Sequence, residues 1–500
     1  MDLIKFRRQY LITSQKVPLL ENWQKETFNN MNVYAEQALQ MNKRTIDGKE
    51  FLLLGYWINP HEPDKSNEEI LDDIFEKCQS IDTVYIYIYI LSGRFALFCR
   101  FGEKMYGISD AGGFRPIFFT NQTQELHLTS NIFLLKYVMN LEEKKEKYQF
   151  EHSNFYKWAP TFGWCPGYTF YKNVESVIAN HYLNINERKI YRFYPNKTLS
   201  TINTEEEVNK TALQISKLLQ NSIASIVKRS PVSYSLTAGY DSRMILSTIK
   251  QYADKMYFWI FYYSKKHSDY FLPNQILQES GYQRFPIKFN RRKYKKYRKF
   301  YFQNTPMAHD MWAKLNCSLI DEYPKDYVNI RGAASEVLKC EQFRDGKHPE
   351  NIDIDFVKKL PNFYYLNECS TDILSRMHAY LSEMQDYCQK YGYKTLDILE
   401  WEAGNSCGQW QMQSELESDF LYDVFVPLSN REIWDLFLSV PCQYRMYATG
   451  FQIYHKIIKQ SWPELLNYPF NPPSKYSKFE LKMQYYKEAA KFKLKKMFGK

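Results

Sequence analysis

The sequence predicts a mixed fold of two domains, a β-rich α+β domain followed by an α/β domain built on a parallel sheet. The 500 residues are more than one hydrophobic core usually holds. The first 200 residues consist mainly of strand-like and turn-like segments, whereas most of the remaining chain alternates strand-like and helix-like segments. We therefore predict domains at 1–200 and 201–500.

Turn residues and alternating patterns indicate the strands of the first domain. Ile and Tyr alternate from Tyr85 to Ile90, and a Ser-Gly turn then leads into an apolar run at 94–99, which predicts a hairpin. Shorter strands are predicted at 106–110, 116–119 and 126–129.

Helical spacing marks the start of the second domain. The pair Thr204 and Glu207 has the form of a capping box and precedes apolar residues at helical spacing up to Ile226, which predicts a long amphipathic helix. Alternating elements then follow, with strands predicted at 232–236 and 256–262 and helices at 243–249 and 271–280. Such alternation implies a parallel sheet with helices on its faces.

The composition is that of an ordinary globular protein. Apolar residues make up 44% and charged residues 24% of the chain, with 18 Gly and 20 Pro, which argues against disordered and collagenous proteins. A net charge of +10 over this length favours anionic ligands, and we expect no nucleic-acid partner. The nine Cys include no CxxC pair, so neither a zinc site nor a disulfide framework is indicated.

The apolar segments are short. No window approaches 18 uninterrupted apolar residues, and residues 1–8 lack the apolar core of a signal peptide. We therefore expect no membrane span and a cytoplasmic location, which the scattered cysteines also fit.

The turn Thr237-Ala238-Gly239-Tyr240-Asp241-Ser242 joins a predicted strand to a predicted helix. Small residues between a strand end and a helix start leave backbone N–H groups directed at one point, where the helix dipole also favours negative charge. This arrangement predicts a phosphate site, with hydroxyl donors on Thr237 and Ser242 and a magnesium-binding carboxylate on Asp241. The alternative is an ordinary turn in which Gly serves geometry and Asp and Ser cap the helix.

This TAGYDS turn resembles the SGGxDS pyrophosphatase loop of the asparagine synthetase family. Four other segments, in the same order as in that family, resemble the family's motifs: Gly93–Phe98 with Asp110–Phe119, Ser130-Asn131, Val426–Pro441, and His455–Leu466. The resemblance covers roughly residues 50–480. It implies an Ntn-type, glutamine-amidotransferase-like N-terminal domain and a Rossmann-like ATP-pyrophosphatase domain with a helical C-terminal part.

The resemblance also implies site residues and cofactors. ATP and Mg²⁺ are the implied cofactors, and Asp241 is the implied metal ligand. Glu336 matches the family's catalytic glutamate, and Lys478, preferred over Lys475, matches its C-terminal lysine. The implied ATP- and pyrophosphate-binding residues are Leu236, Thr237, Ala238, Gly239, Asp241 and Ser242, with 257–262 beside the adenine.

Three departures from the family pattern change the expectation. The family's glutaminase needs a cysteine at position 2, where this chain has Asp2, so we expect no glutamine hydrolysis. Ser335 replaces an acidic metal ligand, and Asp269 and Asp310 are candidates for a second carboxylate. Ala238 replaces a glycine, which costs about 1 kcal/mol if that position needs a positive φ.

Several other polar residues have two interpretations each. Arg243 is expected either to bind a phosphate or sugar acid or to form a salt bridge on a helix surface. His309 is either a base beside Asp310 or structural. Trp401, Glu402, Trp410 and the run 415–419 either line an acceptor pocket or pack with a charged outer face.

The predicted function is that of an ATP-dependent, AMP-forming amide ligase without glutaminase activity. Its expected substrates are a small carboxylate, such as a surface-polysaccharide uronic acid, and an amine or ammonia. The alternatives are a non-catalytic nucleotide-binding scaffold, an ammonia-dependent asparagine synthetase and a peptide cyclase. A homodimer or a pathway-enzyme partner is left open.

Overall fold

The structure, a computed structural model, describes residues 4–154, 156, 164–404, 409–477 and 480. In these ranges the strands are β1 Tyr10–Thr13, β2 Gln24–Phe28, β3 Met31–Ala35, β4 Met41–Ile46, β5 Lys49–Ile58, β6 Ser92–Phe101, β7 Lys104–Ser109, β8 Phe118–Thr120, β9 His127–Thr129, β10 Val174–Ser176, β11 His181–Asn184, β12 Lys189–Arg192, β13 Val232–Ser235, β14 Met256–Tyr262, β15 Arg284–Lys288, β16 Val328–Ile330 and β17 Asp423–Phe425.

The α-helices in the same ranges are α1 Asn67–Lys77, α2 Ile81–Tyr87, α3 Lys145–His152, α4 Glu205–Arg229, α5 Tyr240–Ile249, α6 Ser268–Glu279, α7 Arg291–Asn304, α8 Asp310–Leu319, α9 Ile354–Val357, α10 Thr371–Tyr391, α11 Thr395–Ala403, α12 Gln409–Ser418, α13 Arg431–Ser439, α14 Cys442–Arg445 and α15 Gln452–Ser461. None of these helices is both long enough and apolar enough to traverse a bilayer.

The N-terminal half is a sandwich of two antiparallel sheets. Their strand orders are β10-β8-β9-β1-β3-β2 and β12-β11-β7-β6-β5-β4. Side chains from the inner faces, such as Tyr10 and Val33 on one sheet and Leu52 and Phe98 on the other, form one buried cluster. This confirms the β-rich character expected for the first 200 residues.

The hairpin predicted at 85–99 is half wrong. β6 forms as expected, but α2 and a short 3-10 helix at Ile88–Ile90 replace the first arm. Ser80 caps α2 by accepting from the backbone N–H of Thr83. Ile81, Val84 and Ile88 then share one buried helical face, so the helical period, not the alternation of Ile and Tyr, decides the local structure.

The C-terminal half contains the predicted parallel sheet. Its order is β15-β14-β13-β16-β17, and all four pairings are parallel. β13 lies at the centre, and the chain extends from it first to β14 and β15 and later to β16 and β17. The crevice between the carboxyl ends of β13 and β16 is therefore the switch point at which doubly wound sheets bind ligands.

A buried ion cluster joins the two halves. It consists of Arg8, Arg94 and Arg115 with Asp419 and Asp423. Arg94 donates from Nη2 to Asp419 Oδ2 at 2.9 Å and from Nη1 to Asp423 Oδ1 at 3.0 Å. Arg8 donates to the Asp419 carbonyl at 2.6 Å, and Arg115 donates to the Arg8 carbonyl at 2.9 Å. The halves therefore contact each other through buried charges, while the 200/201 boundary stays a prediction.

Candidate functional site

A cavity of about 310 Å³ opens at the switch point of the parallel sheet. Its lining comes from the ends of β13, β14 and β16, the starts of α5 and α6, and α8, α12 and Tyr422: Ser235, Leu236, Thr237, Asp241, Ser242, Trp259, Phe261, Asp269, Trp312, Leu315, Asn329, Arg331, Gly332, Ala333, Trp410, Gln411 and Tyr422. Four of the predicted nucleotide residues, Leu236, Thr237, Asp241 and Ser242, lie in this wall. The crevice is open, as a binding site requires.

The turn before α5 is tied together by its own side chains. Ser242 Oγ lies 2.8 Å from Thr237 Oγ1 and accepts from the Thr237 N–H at 3.3 Å. The Ala238 N–H donates to Asp269 Oδ1 at 2.9 Å. We expected these N–H groups to be directed at a phosphate, but they have side-chain acceptors, whereas no side chain of the described residues caps the N-terminus of α5. The helix terminus is therefore the part of the turn best suited to an anion.

The backbone of the turn removes one expected difficulty. Ala238 is absent from the described residues with positive φ, so its methyl group brings no left-handed strain. The strained residue is instead Ala334, with φ 63°, which follows β16. Gly332, also after β16, lies against the start of α5, because a Cβ at this position would come within 3.1 Å of Ser242 Cα. The β16 end and α5 therefore meet backbone to backbone.

Asp241 does not stand alone in the cavity wall. Its Oδ2 lies 2.6 Å from the Nζ of Lys339, in the short 3-10 helix Glu336–Lys339. Burial lowers the pKa of Lys339, but the charges of Asp241 and Glu336 outweigh burial and raise that pKa. Burial raises the pKa of Glu336, which the Asp241 charge raises further and the Lys339 charge lowers. One ammonium thus lies between two carboxylates.

Lys339 was not among the site residues predicted from the sequence. Its only local signal is the three-residue spacing from Glu336, because its partner Asp241 precedes it by 98 residues. The predicted metal ligand therefore has a cationic partner that no motif indicated.

The expected magnesium site depends on the oxygen atoms near this ion pair. Asp241 Oδ1 and Ser335 Oγ are buried and have no hydrogen-bond partner in the described part of the chain. The described residues hold no group of three or more His, Cys, Asp or Glu able to bind a metal. One carboxylate still fits Mg²⁺, which usually binds one or two carboxylates together with substrate phosphates.

Asp269 and Asp310, the two candidates for a second carboxylate, lie in different places. Asp269 lines the cavity and holds the turn through Ala238. Asp310 is instead half-exposed in an ion pair with Lys314 and is absent from the cavity lining. The structure therefore brings only Asp269 to the site.

The rest of the cavity lining combines aromatic rings with one arginine. Arg331 Nη1 donates to Glu415 Oε1 at 2.8 Å, and its guanidinium lies 4.6 Å from the ring centroid of Trp312. Trp259 and Trp410 add further aromatic surface. Arg331 is the single cationic side chain among the lining residues that the structure describes, so it is the candidate anion contact on this wall.

Both interpretations of Arg243 were wrong. This side chain is buried and donates to the carbonyls of Tyr468 at 2.7 Å and Pro469 at 2.8 Å, and its guanidinium lies 3.9 Å from the ring centroid of Phe470. Burial lowers the pKa of Arg243 to about 10. Because these carbonyls belong to the C-terminal segment, Arg243 holds that segment against α5. It is absent from the lining of the cavity.

The two candidates for the expected C-terminal lysine differ in what can be said of them. Lys478 lies outside the described residues. Lys475, the weaker candidate, is exposed, and its Nζ lies 4.3 Å from the ring centroid of Phe271 on α6. Its backbone N–H donates to the Lys266 carbonyl at 2.8 Å.

The acidic residues expected in an acceptor pocket lie in three different places. Glu402 forms a bidentate pair with the buried Arg192, and Asp419 belongs to the buried ion cluster. Glu415 lies behind Arg331, while Trp410 lines the cavity itself. Packing is therefore the correct part of the second interpretation for most of this set, but the charged outer face is wrong, because Glu402, Glu415 and Asp419 are buried.

His309 is also buried, with Nδ1 2.8 Å from Glu417 Oε1. It lines a different, smaller and mostly aromatic cavity between the two halves. His309 thus lies away from the main cavity, which favours the structural interpretation over a base beside Asp310.

Comparisons with known proteins add little. No family model and no curated protein matches the chain. Solved structures show remote similarity, and three of them are as follows. The first is an allosteric regulatory enzyme of purine biosynthesis, with 11% identity, a TM-score of 0.25, and coverage of 46% of this chain and 54% of the other.

The second is a glutamine phosphoribosylpyrophosphate amidotransferase from B. subtilis complexed with ADP and GMP, with 10% identity, a TM-score of 0.26, and coverage of 81% and 89%. The third is a glutamine-dependent NAD⁺ synthetase from Acinetobacter baumannii in complex with ADP, with 14% identity, a TM-score of 0.20, and coverage of 46% and 48%. The chain spans about half the length of the first and third. Similarities this low support no statement about activity.

Proposed function

We propose that this chain is an ATP-dependent, AMP-forming amide ligase. The observation that carries the proposal is the open cavity at the switch point of a parallel sheet, bordered by the uncapped N-terminus of α5 with Asp241, Ser242 and Thr237. A triphosphate fits such a terminus because helix N–H groups and the helix dipole both favour anions. The resemblance of this turn to the pyrophosphatase loop of asparagine synthetases supports the same assignment.

The chemistry follows from the weakness of a carboxylate as an electrophile. Attack of a substrate carboxylate on the α-phosphorus of ATP gives an acyl-adenylate and releases pyrophosphate. An amine then attacks the acyl carbon, AMP leaves, and the amine loses a proton. The α5 terminus and the Thr237 and Ser242 hydroxyls are placed to stabilise charge on the leaving pyrophosphate.

Each end of the nucleotide has a candidate contact. Leu236, Trp259 and Phe261 give an apolar and aromatic wall for the adenine. Asp241 is the residue that would hold magnesium, which neutralises phosphate charge when it is bound with the nucleotide. For that contact, the unpartnered Oδ1 is the available oxygen, since Oδ2 pairs with Lys339.

Arg331 supports an acidic acceptor substrate. Its side chain lines the same cavity as the turn, and within its guanidinium only Nη1 has a hydrogen-bond partner in the described residues. The remaining N–H groups suit a carboxylate. A surface-polysaccharide uronic acid is the acceptor that the sequence resemblance favours, and ammonia or an amino acid is the amine.

The proposed enzyme has no glutaminase activity. Position 2 is Asp, and the three cysteines in the N-terminal half, Cys78, Cys99 and Cys165, are all buried with a raised pKa. A buried thiol with a raised pKa is a poor nucleophile. Incubation with glutamine should release no more ammonia than a control without protein, and release above that control contradicts the proposal.

Calorimetric titration with ATP and Mg²⁺ tests the nucleotide site. We expect ATP to bind in the presence of Mg²⁺ and the affinity to fall at least tenfold in Asp241→Asn. Asp310→Asn is the matched control, because Asp310 also pairs with a lysine but lies away from the cavity. If ATP at millimolar concentration does not bind, or if both variants weaken binding equally, the assignment of the cavity is wrong.

A second candidate function is a nucleotide-binding protein without catalysis. It is favoured by the Asp241–Lys339 ion pair, which neutralises the predicted metal ligand, and by the side-chain acceptors that occupy the N–H groups of the turn. Pyrophosphate release over a panel of uronic and amino acids separates the two functions. ATP binding without release for any carboxylate supports the second.

A further inference from the structure

Two cysteines lie together behind the Asp241–Lys339 ion pair. Cys340 follows Lys339 directly and is buried, with φ 53°. Cys442 is half-exposed and begins α14. The Cys340 thiol hydrogen-bonds Cys442. The buried thiol of Cys340 is therefore in contact with the partly exposed thiol of Cys442.

Cations surround the accessible thiol. The Lys394 Nζ lies 2.6 Å from Cys442 Sγ, and the Arg445 Nη2 lies 3.8 Å from it. Arg445 is in turn held by Asp397, whose Oδ2 lies 2.9 Å away, and both of these side chains are buried. The geometry favours a thiolate on Cys442, because hydrogen-bond donors and positive charges stabilise negatively charged sulfur.

The pKa values of the two thiols move in opposite directions. The hydrogen bond from Cys340, with the charges of Arg445 and Lys394, lowers the pKa of Cys442 to about 5 despite partial burial. The hydrogen bond to Cys442, followed by burial, raises the pKa of Cys340. One sulfur is thus ready to react while its neighbour keeps its proton.

Cys369 provides an internal comparison. It is half-exposed like Cys442, but its thiol donates to the Tyr365 carbonyl at 3.4 Å. Burial raises the pKa of Cys369 to about 12. Partial exposure alone therefore gives no thiolate in this chain.

We propose that Cys442 and Cys340 form a peroxide-sensitive thiol pair, with Cys442 as the attacking sulfur and Cys340 as the resolving one. The Cys442 thiolate attacks the terminal oxygen of a hydroperoxide, the O–O bond breaks, and the departing oxygen takes a proton to leave as an alcohol or water. Cys442 becomes a sulfenic acid. Cys340 then loses its proton and attacks that sulfur, the S–O bond breaks, and water leaves. The two thiols give up two electrons, which reduce the hydroperoxide.

Alkylation of the full chain at pH 6.5 tests the first half of the proposal. With limiting iodoacetamide and peptide mass spectrometry, Cys442 should react at least tenfold faster than Cys369, because an ordinary thiol is only about 1% ionised at this pH. Lys394→Met should reduce the Cys442 rate and leave Cys369 unchanged. Equal rates for the two cysteines, or no effect of Lys394→Met, contradict the proposal.

Oxidation by one equivalent of hydrogen peroxide tests the second half. Peptides containing Cys340 and Cys442 should become joined with the loss of two hydrogens, and a reductant should separate them. In Cys340→Ser the Cys442 sulfenic acid should persist and react with dimedone. Absence of the joined peptide, or equal dimedone labelling with and without Cys340, overturns the pairing. None of these readouts involves ATP, so the result stands apart from the proposed ligase activity.

Discussion

The buried ion cluster and the main cavity both collect charged side chains, yet they satisfy them differently. In the ion cluster, Arg94 engages both carboxylates of the opposite half. In the cavity wall, Asp241 Oδ1 has no hydrogen-bond partner among the described residues, and none of their side chains caps the α5 terminus. Charges that complete one another hold a fold together, whereas polar groups left incomplete in an open crevice await a ligand.

Removing Arg94 should give the largest effect. Arg94→Met leaves Asp419 and Asp423 buried with fewer partners, and breaking a buried ion pair from one side costs about 3–5 kcal/mol. Urea denaturation should show this loss in the free energy of unfolding. Lys228→Met is the control, because its pair with Asp64 is 59% and 78% exposed, and should cost less than about 1 kcal/mol. Equal costs would remove the distinction between the two kinds of site.

Gly332→Ala should perturb the cavity from the protein side. Its added methyl group would come within 3.1 Å of Ser242 Cα and 3.2 Å of the Asp241 backbone. Overpacking of this kind costs about 1–3 kcal/mol of folding free energy, and the displaced α5 terminus should bind ATP more weakly. Thermal denaturation and calorimetry measure the two effects. Unchanged values for both would show that the β16 end and α5 are not in close contact.

Lys339→Met should change how ATP binding depends on metal. Without the ammonium, Asp241 and Glu336 repel the triphosphate, so the affinity measured without Mg²⁺ should fall about tenfold, or about 1.4 kcal/mol. Mg²⁺ should restore much of the loss through the freed Asp241. An equal loss with and without Mg²⁺ would instead indicate a purely structural role for Lys339.

Ala334→Gly should have the smallest effect. The left-handed conformation at φ 63° costs an L-residue about 1 kcal/mol, which Gly does not pay. The greater freedom of Gly in the unfolded chain and the lost methyl burial offset much of this gain. The free energy of unfolding should therefore change by less than about 1 kcal/mol, and a larger loss would show that the Ala334 methyl packs tightly.

Local signals in the sequence predicted the elements that depend on local rules. The Thr204–Glu207 capping box begins α4 as expected, and β14 has the predicted bounds Met256–Tyr262. The alternation from Tyr85 to Ile90 was misleading. The buried residues Ile81, Val84 and Ile88 recur at helical spacing, and the Ser80 cap favours the helix over the strand.

The site was predictable where one turn contains it and not where distant segments meet. Thr237, Asp241 and Ser242 of the turn line the cavity, whereas the predicted binding residues Ala238 and Gly239 are absent from its lining. Lys339 and the tail that accepts from Arg243 depend on contacts across about 100 or more residues. No short-range pattern encodes such contacts, so neither interpretation of Arg243, a ligand contact or a surface salt bridge, matched its buried bonds to carbonyls.

The hydrogen bonds from Arg243 to the carbonyls of Tyr468 and Pro469 tie the C-terminal segment to the helix that borders the cavity. A truncation ahead of Tyr468 would strip a buried guanidinium of its main acceptors and loosen the helix that borders the cavity. Proteolysis ahead of Tyr468 would thus alter the position of α5 at the cavity while leaving every lining residue in the chain.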